Sequence, residues 1–273
     1  MNFSEIVNQI KNKKTYLCVG LDSDLEKIPK HLLEFDDPIY EFNKRVIDAT
    51  KDLVIAYKPN LAFYESQGSK GLISLEKTLD YIPSEILKIA DAKRGDIGNT
   101  SKMYAKTFFE IFNFDAVTLS PYMGKDSSLP YLEFDDKWII LLALTSNNSS
   151  ADIQYFKDSD DKNLYEHVLS DSLSWSSKYN TMYVVGANRM DELASIRKII
   201  PDNFLLIPGV GTQGGDLKSI SLNSMNDNCG IIVNVSRDII YSDSSDSFEE
   251  SVRSKTLEYK NEMEKILIEK ELI

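Results

Sequence analysis

The chain has 273 residues, 42% of them apolar, and carries 43 acidic against 31 basic side chains for a formal charge of −12. That apolar share excludes global disorder. The acidic balance argues against nonspecific binding to nucleic acid or anionic membrane, while leaving room for a local positive site that takes an anionic ligand.

The only cysteines are Cys18 and Cys229, and Cys18 lies in the apolar run Tyr16-Leu17-Cys18-Val19, so it reads as a buried free thiol. His31 and His167 are far apart in polar contexts, which excludes a multi-histidine metal site and disfavours a histidine-based triad. The start, Met1-Asn2-Phe3-Ser4-Glu5, has no basic segment leading into an apolar core. No run approaches the length of a membrane span, so a cytoplasmic protein is expected.

Phe3 to Asn12 opens the chain as a short amphipathic helix, with Ile6 and Ile10 on one face. A theme then repeats: an apolar strand-like run ends in small and charged residues, and a helical segment follows. Strands are expected at Thr15–Leu21, Leu53–Tyr57, Ile86–Ala90, Ala116–Leu119, Trp138–Leu144, Thr181–Val185, Phe204–Ile207 and Gly230–Val235. Helices are expected at Ile39–Thr50, Leu72–Tyr81, Thr100–Phe112, Leu164–Lys178, Asp191–Ile200 and Phe248–Leu272, with Asp191 as a candidate cap. Ser146 to Asp161 and Ser242 to Ser247 read as solvated loops after the fifth and eighth strands. Eight strands with helical connections and no internal boundary predict one domain over residues 1–273: a (β/α)8 TIM barrel with a short N-terminal helix. An open doubly wound sheet would need a glycine-rich turn after its first strand, which Val19-Gly20-Leu21-Asp22-Ser23 does not supply.

In such a barrel the chemistry gathers where the strands end. The third strand runs into Asp91-Ala92-Lys93-Arg94-Gly95-Asp96-Ile97-Gly98-Asn99-Thr100. Asp91 and Lys93 are two apart and share a face of an extended backbone, while Gly95 and Gly98 let the chain turn and re-aim Asp96. A further lysine, Lys58, ends Val54-Ile55-Ala56-Tyr57. A random charge run is most often a solvated loop. Two lysines and several carboxylates converging on one rim are a candidate charge array.

Later in the chain, Pro208-Gly209-Val210-Gly211-Thr212-Gln213-Gly214-Gly215 and Val233-Asn234-Val235-Ser236-Arg237 follow strands seven and eight. Loops in those positions commonly hold a phosphate on backbone N–H groups, to which Gln213 would add an amide donor and Arg237 a guanidinium fork. The glycines alone could equally be tight turns, and the lysine and Ser/Thr of a nucleotide-triphosphate loop are missing.

These stretches, with Val19-Gly20-Leu21-Asp22, Lys58-Pro59-Asn60-Leu61-Ala62-Phe63-Tyr64-Glu65, Ser120-Pro121-Tyr122-Met123-Gly124 and Thr145-Ser146-Asn147, resemble the orotidine 5'-phosphate decarboxylase family, particularly bacterial-type members near this length. The likeness spans nearly the whole chain. It implies decarboxylation of orotidine 5'-phosphate (OMP) to UMP and CO2 in pyrimidine biosynthesis, with no metal and no organic cofactor. By the same resemblance Lys58, Asp91, Lys93 and Asp96 form the catalytic array, in which Lys93 stabilises and then protonates the C6 carbanion. Asp22, Lys58 and Asn60 would serve the ribose, Ser146 the pyrimidine, and Gln213, Gly214, Gly215 and Arg237 the 5'-phosphate. Asp96 and Thr100 would reach the neighbouring subunit's site, which implies a homodimer.

Two departures bear on loop geometry. Asn148-Ser149-Ser150 stands where the family commonly has Pro-Gly, and Ser23 where it has proline. Two other functions stay open. One is a metal-dependent phosphosugar lyase or synthase of the same superfamily; the other is a noncatalytic nucleotide-phosphate sensor.

Overall fold

Eight parallel strands close into a ring whose order follows the chain: β1 (Leu17–Leu21), β2 (Ala56–Pro59), β3 (Leu87–Arg94), β4 (Ala116–Leu119), β5 (Trp138–Leu144), β6 (Thr181–Val185), β7 (Leu205–Pro208) and β8 (Ile231–Val235), with β8 pairing back onto β1. The computed structural model describes residues 1–211 and 216–273. Closure leaves no sheet edge, and the near-continuous apolar runs suit strands buried on both faces. Every residue of β1, β4, β6 and β8 is buried.

Helices cover the ring: α1 (Phe3–Lys13), α2 (Pro38–Thr50), α3 (Leu61–Glu65), α4 (Gly68–Tyr81), α5 (Gly98–Lys106), α6 (Leu164–Ser172), α7 (Met190–Ile199), α8 (Leu217–Ser224), α9 (Arg237–Ile240) and α10 (Phe248–Glu269). Their starts are written in short polar side chains. Asn2 with Glu5 and Asn163 with Glu166 form reciprocal caps on α1 and α6, and Asp37 accepts from Tyr40 N ahead of Pro38 on α2. Among the described residues no helix is long and apolar enough to cross a membrane.

α1 fastens to the N-terminal ends of the strands. The Trp138 indole donates to Met1 O at 2.7 Å, and the α-amino group pairs with Asp115 at 3.2 Å. The opposite mouth is left for the site.

Strands four, five and six begin and end where the sequence predicts. Others shift, for identifiable reasons. β2 starts at Ala56 rather than Leu53: Leu53 and Val54 are buried in the turn entering the barrel, so burial there marks a packed turn and not a ladder. β3 continues past Ala90 to Arg94, carrying Asp91 and Lys93 on the strand instead of beyond it. Asp191 does not cap α7; Arg189 holds that position and Asp191 sits in the first turn, where its charge suits the helix dipole. The helix expected to reach Phe112 becomes a wider π turn at Thr107–Ile111, which lets consecutive Phe108 and Phe109 both turn inward. α6 stops at Ser172 rather than Lys178 because the hydroxyls of Ser172, Ser174 and Ser176 bond to backbone carbonyls three or four residues back.

Candidate active site

The strand ends assemble a charge cluster around one carboxylate. Lys58 is on β2 and Asp91 on β3, and the two chains run level there, with Asn60 bridged to Asp91. Lys58 Nζ donates to Asp91 Oδ2 at 2.7 Å, and Lys93 Nζ donates to the other oxygen, Oδ1. The two lysines are unlike: the Lys58 side chain is 5% exposed and that of Lys93 51%, so Lys93 is the more open of the two.

Burial penalises the charged form of Lys58, yet the nearby Asp91 and Asp22 carboxylates outweigh it and hold the ammonium well above its ordinary range. Burial likewise disfavours ionised Asp91, but Lys58 and Lys93 prevail and bring its carboxyl down to about 2. Asp91 is therefore a fixed anion at any working pH.

The shared face expected for Asp91 and Lys93 is reached by a different route from simple alternation. Ala90 pairs with Val117 and Arg94 with Leu119, so three residues of β3 stand opposite Thr118 alone. Lys93 takes a left-handed φ of 49° in this bulge. The backbone N–H groups of Ala92 and Lys93 both donate to Thr118 Oγ1, each at 2.9 Å. One hydroxyl thus replaces the ladder partners that the bulge removes. Thr118 was not among the residues singled out from sequence; its signal was a hydroxyl inside the apolar run Ala116–Leu119.

Asp22 follows β1. Ser236 Oγ donates to its Oδ2 at 2.6 Å and contacts Gly20 O at 3.2 Å. Asp22 Oδ1 is buried with no hydrogen-bond partner among the described residues, the condition of an acceptor waiting for a ligand hydroxyl. Gly20 is required beneath it, since a Cβ there would come within 2.8 Å of Ser236 Cβ.

A cavity of about 340 Å³ opens above the cluster, lined by Lys58, Asp91, Lys93, Thr118, Leu142, Thr145, Ser146, Asn147, Val184, Leu206 and Pro208. Its charge lies on one wall and its apolar side chains opposite. A larger neighbouring cavity of about 480 Å³ shares Leu142 and Asn147 but has no lysine or carboxylate in its lining.

Not all expected residues converge. Asn60 caps α3, accepting from Ala62 N at 3.2 Å. Asp96 accepts from Ile97 N at 2.8 Å and makes no ion pair with Lys58 or Lys93 among the described residues. Of the two glycines expected to turn the chain there, only Gly98 takes a positive φ, of 53°. Thr100 lies exposed on α5. Arg237 is exposed at the start of α9. Gln213, Gly214 and Gly215 lie outside the described residues. Also among the described residues, no group of three or more His, Cys, Asp or Glu side chains is arranged to hold a metal ion.

Comparisons with known proteins agree along the whole chain. Residues 15–248 match the model described as "Orotidine 5'-phosphate decarboxylase / HUMPS family". The chain is 52% identical over 271 residues to the orotidine 5'-phosphate decarboxylase of Phocaeicola vulgatus, covering 98% of this chain and 99% of that protein. It is 53% identical over 270 residues to that of Flavobacterium johnsoniae, covering 98% of each. Among solved structures, Leishmania donovani OMP decarboxylase superposes with a TM-score of 0.84 at 33% identity, covering 97% of this chain and 98% of that one. Leishmania donovani UMP synthase gives 0.86 at 34% identity; 97% of this chain is covered, and only 56% of that longer one.

Proposed function

The chain belongs to the orotidine 5'-phosphate decarboxylase / HUMPS family, and from that premise we propose that the cluster around Asp91 is the centre at which OMP loses CO2. The reaction is decarboxylation of OMP to UMP, a step of pyrimidine nucleotide synthesis. The observation that carries the assignment is one largely buried carboxylate bridging two ammonium groups on the cavity wall, one of them half exposed.

The chemistry follows from the charges. When the bond from C6 to the carboxylate breaks, its electron pair stays in an in-plane orbital that the ring cannot delocalise. The Lys93 ammonium lies on the cavity wall where that charge develops, and a cation already in place need not be assembled during the reaction. Lys93 then gives its proton to C6 and regains one from solvent. Asp91 anchors Lys93 through Oδ1 while Lys58 neutralises Oδ2, so the carboxylate orients the acid without taking its proton.

Asp22 with its open oxygen, together with Lys58 and Asn60, serves the ribose. Ser146 meets the pyrimidine at the cavity wall, and Arg237 with Gln213, Gly214 and Gly215 takes the phosphate. Binding energy from that remote group orients the ring over Lys93.

Asp96 and Thr100 act in the site of a second copy, making a homodimer with two composite centres. Two observations support this: Asp96 has no cationic partner in its own chain among the described residues, and Ile97, Met103 and Tyr104 beside it are exposed apolar side chains. A metal-dependent phosphosugar enzyme is disfavoured by the donor set, which offers no grouped metal ligands among the described residues.

The test is loss of OMP absorbance with matched formation of UMP and CO2 in the presence of a chelator. Turnover that continues at full rate supports the reading. Tight binding of UMP with no turnover of OMP defeats it in favour of a nucleotide-phosphate sensor.

A further inference from the structure

The segment that follows β5 carries Thr145, Ser146 and Asn147 into the cavity, yet it is rich in residues that form no regular structure on their own. What holds it lies outside the cavity, in the turn between β6 and α7. Four consecutive carbonyls are taken by that turn. Leu144 O accepts from Gly186 N at 2.8 Å, Thr145 O from Arg189 Nε at 2.9 Å, Ser146 O from Asn188 Nδ2 at 2.9 Å, and Asn147 O from Arg189 Nη2 at 3.1 Å.

Arg189 goes further. Its Nη2 also donates to Ser150 Oγ at 2.6 Å, and its guanidinium lies over the Tyr155 ring at 5.6 Å from the centroid. The approach is close enough to need a glycine: a Cβ on Gly186 would stand 2.8 Å from the Cα, Cβ and N of Ser146. Gln154 adds to the hold, its Oε1 accepting from Thr145 N at 2.8 Å and its Nε2 donating to Thr145 Oγ1 at 2.9 Å, while Thr145 Oγ1 donates to Asn147 Oδ1 at 2.6 Å. Of the three residues of this segment that line the cavity, Ser146 is the one whose side chain makes no hydrogen bond among the described residues.

We infer that Arg189, assisted by Asn188, is a positioning residue for the decarboxylation, fixing the Thr145-Ser146-Asn147 segment against the pyrimidine. A planar fork spreads its donors over separate nitrogens in fixed directions and so reaches acceptors spaced along a segment, whereas a lysine's three donors all sit on one nitrogen. The arrangement also gives a use to the departure at Asn148-Ser149-Ser150. Where a Pro-Gly pair would stiffen the turn through its backbone, this chain ties the turn through the Ser150 hydroxyl. Arg189 bonds to the residues on either side of Ser146, and Asn188 to Ser146 itself, so the effect of Arg189 on catalysis runs through where those bonds place Ser146. The inference rests on the proposed role of Ser146 toward the base.

The experiment compares steady-state kinetics on OMP for the wild type, Arg189→Gln, Asn188→Ala, Ser146→Ala and the Arg189→Gln/Ser146→Ala double variant. Alongside it, amide hydrogen exchange is followed in residues 144–150. Arg189→Gln should lower kcat/KM by roughly 10- to 100-fold, as a displaced contact does. Asn188→Ala, which removes one bond from an exposed side chain, should lower it by about 3- to 10-fold. In the Ser146→Ala background, Arg189→Gln should cost no more than about 2-fold, because both changes disable the same contact. Exchange in residues 144–150 should quicken in Arg189→Gln while strand amides such as those of residues 116–119 stay protected.

Wild-type kcat/KM in Arg189→Gln, or a loss that multiplies fully with that of Ser146→Ala, overturns the positioning role. So does unchanged exchange in the segment. Exchange needs no substrate, so it judges the latch even if the wild type fails to turn over OMP, an outcome that would instead refute the proposed function.

Discussion

On the side of the mouth built by β1, β2 and β3, the charged side chains hold one another. Lys58 and Lys93 share Asp91, and Asp22 is steadied by Ser236. In the loops and helix starts beyond the strands, Asp96 has no cationic partner among the described residues, Thr100 is exposed, and Arg237 is exposed at the start of a four-residue helix. In the first region the Lys58–Asp91–Lys93 cluster is compensated by folding alone, because breaking a buried ion pair costs about 3–5 kcal/mol, and only Asp22 Oδ1 is left open among the described residues. On the proposed reading, the second is finished by what arrives, a phosphate or a second chain. Preorganised charge belongs beside the carbon that changes. Groups that bind the remote phosphate or complete the dimer can remain solvated until they are used.

That contrast can be broken at several points. The largest effect should come from Lys93→Ala, which removes both the preformed cation and the proton donor and should cost at least about 10⁴-fold in kcat, measured on protein whose melting is unchanged. Retention of substantial turnover would separate the cluster from the chemistry.

Mixing separately inactive Lys93→Ala and Asp96→Asn chains tests the unfinished side. In a freely exchanging dimer with composite centres, about a quarter of the sites regain both groups, so roughly that share of wild-type activity should return. No recovery after subunit exchange would mean that Asp96 serves its own chain.

Arg237→Ala should weaken phosphorylated ligands by about 10- to 100-fold through the loss of charge-assisted bonds. Unphosphorylated orotidine should be almost unaffected; equal weakening would remove Arg237 from the phosphate. Thr118→Val, which keeps shape but deletes the acceptor for two N–H groups of the bulge, should lower kcat by about 10-fold with little change in KM, and Thr118→Ser should restore most of it.

The smallest effect concerns pH. The folded Asp91 carboxyl lies at about 2, below its usual 3.8. The ion cluster therefore contributes stability that is fully present above about pH 4 and drains away as pH falls toward 2, on the order of 2 kcal/mol in all. Urea titrations between pH 6 and pH 2.5 should show that fall. Stability that stays flat over this window would mean the pairing is weaker than its burial suggests.

Much of this was legible in the sequence, and the parts that were not share a cause. Apolar runs of four to seven residues located every strand, and β4, β5 and β6 to the residue, because those strands are bounded by residues that cannot continue them. Lys58, Asp91 and Lys93 stood out because charges at the end of an apolar strand need a reason to be there. Thr118, Ser236 and Arg189 were missed because each acts on a neighbour rather than on a ligand, through bonds between segments from 25 to 214 residues apart. Local pattern carries no trace of such pairings. The bulge at Lys93 was invisible for the same reason: it is a mismatch between two strands, and neither strand reveals it alone.

A crystal structure with bound UMP tests the central claim most directly. Lys93 Nζ is expected within about 3.2 Å of the pyrimidine C6, between Asp91 of its own chain and Asp96 of the partner subunit, with the phosphate on Arg237. A nucleotide lying with its ring away from Lys93 and its phosphate on the opposite rim would contradict it.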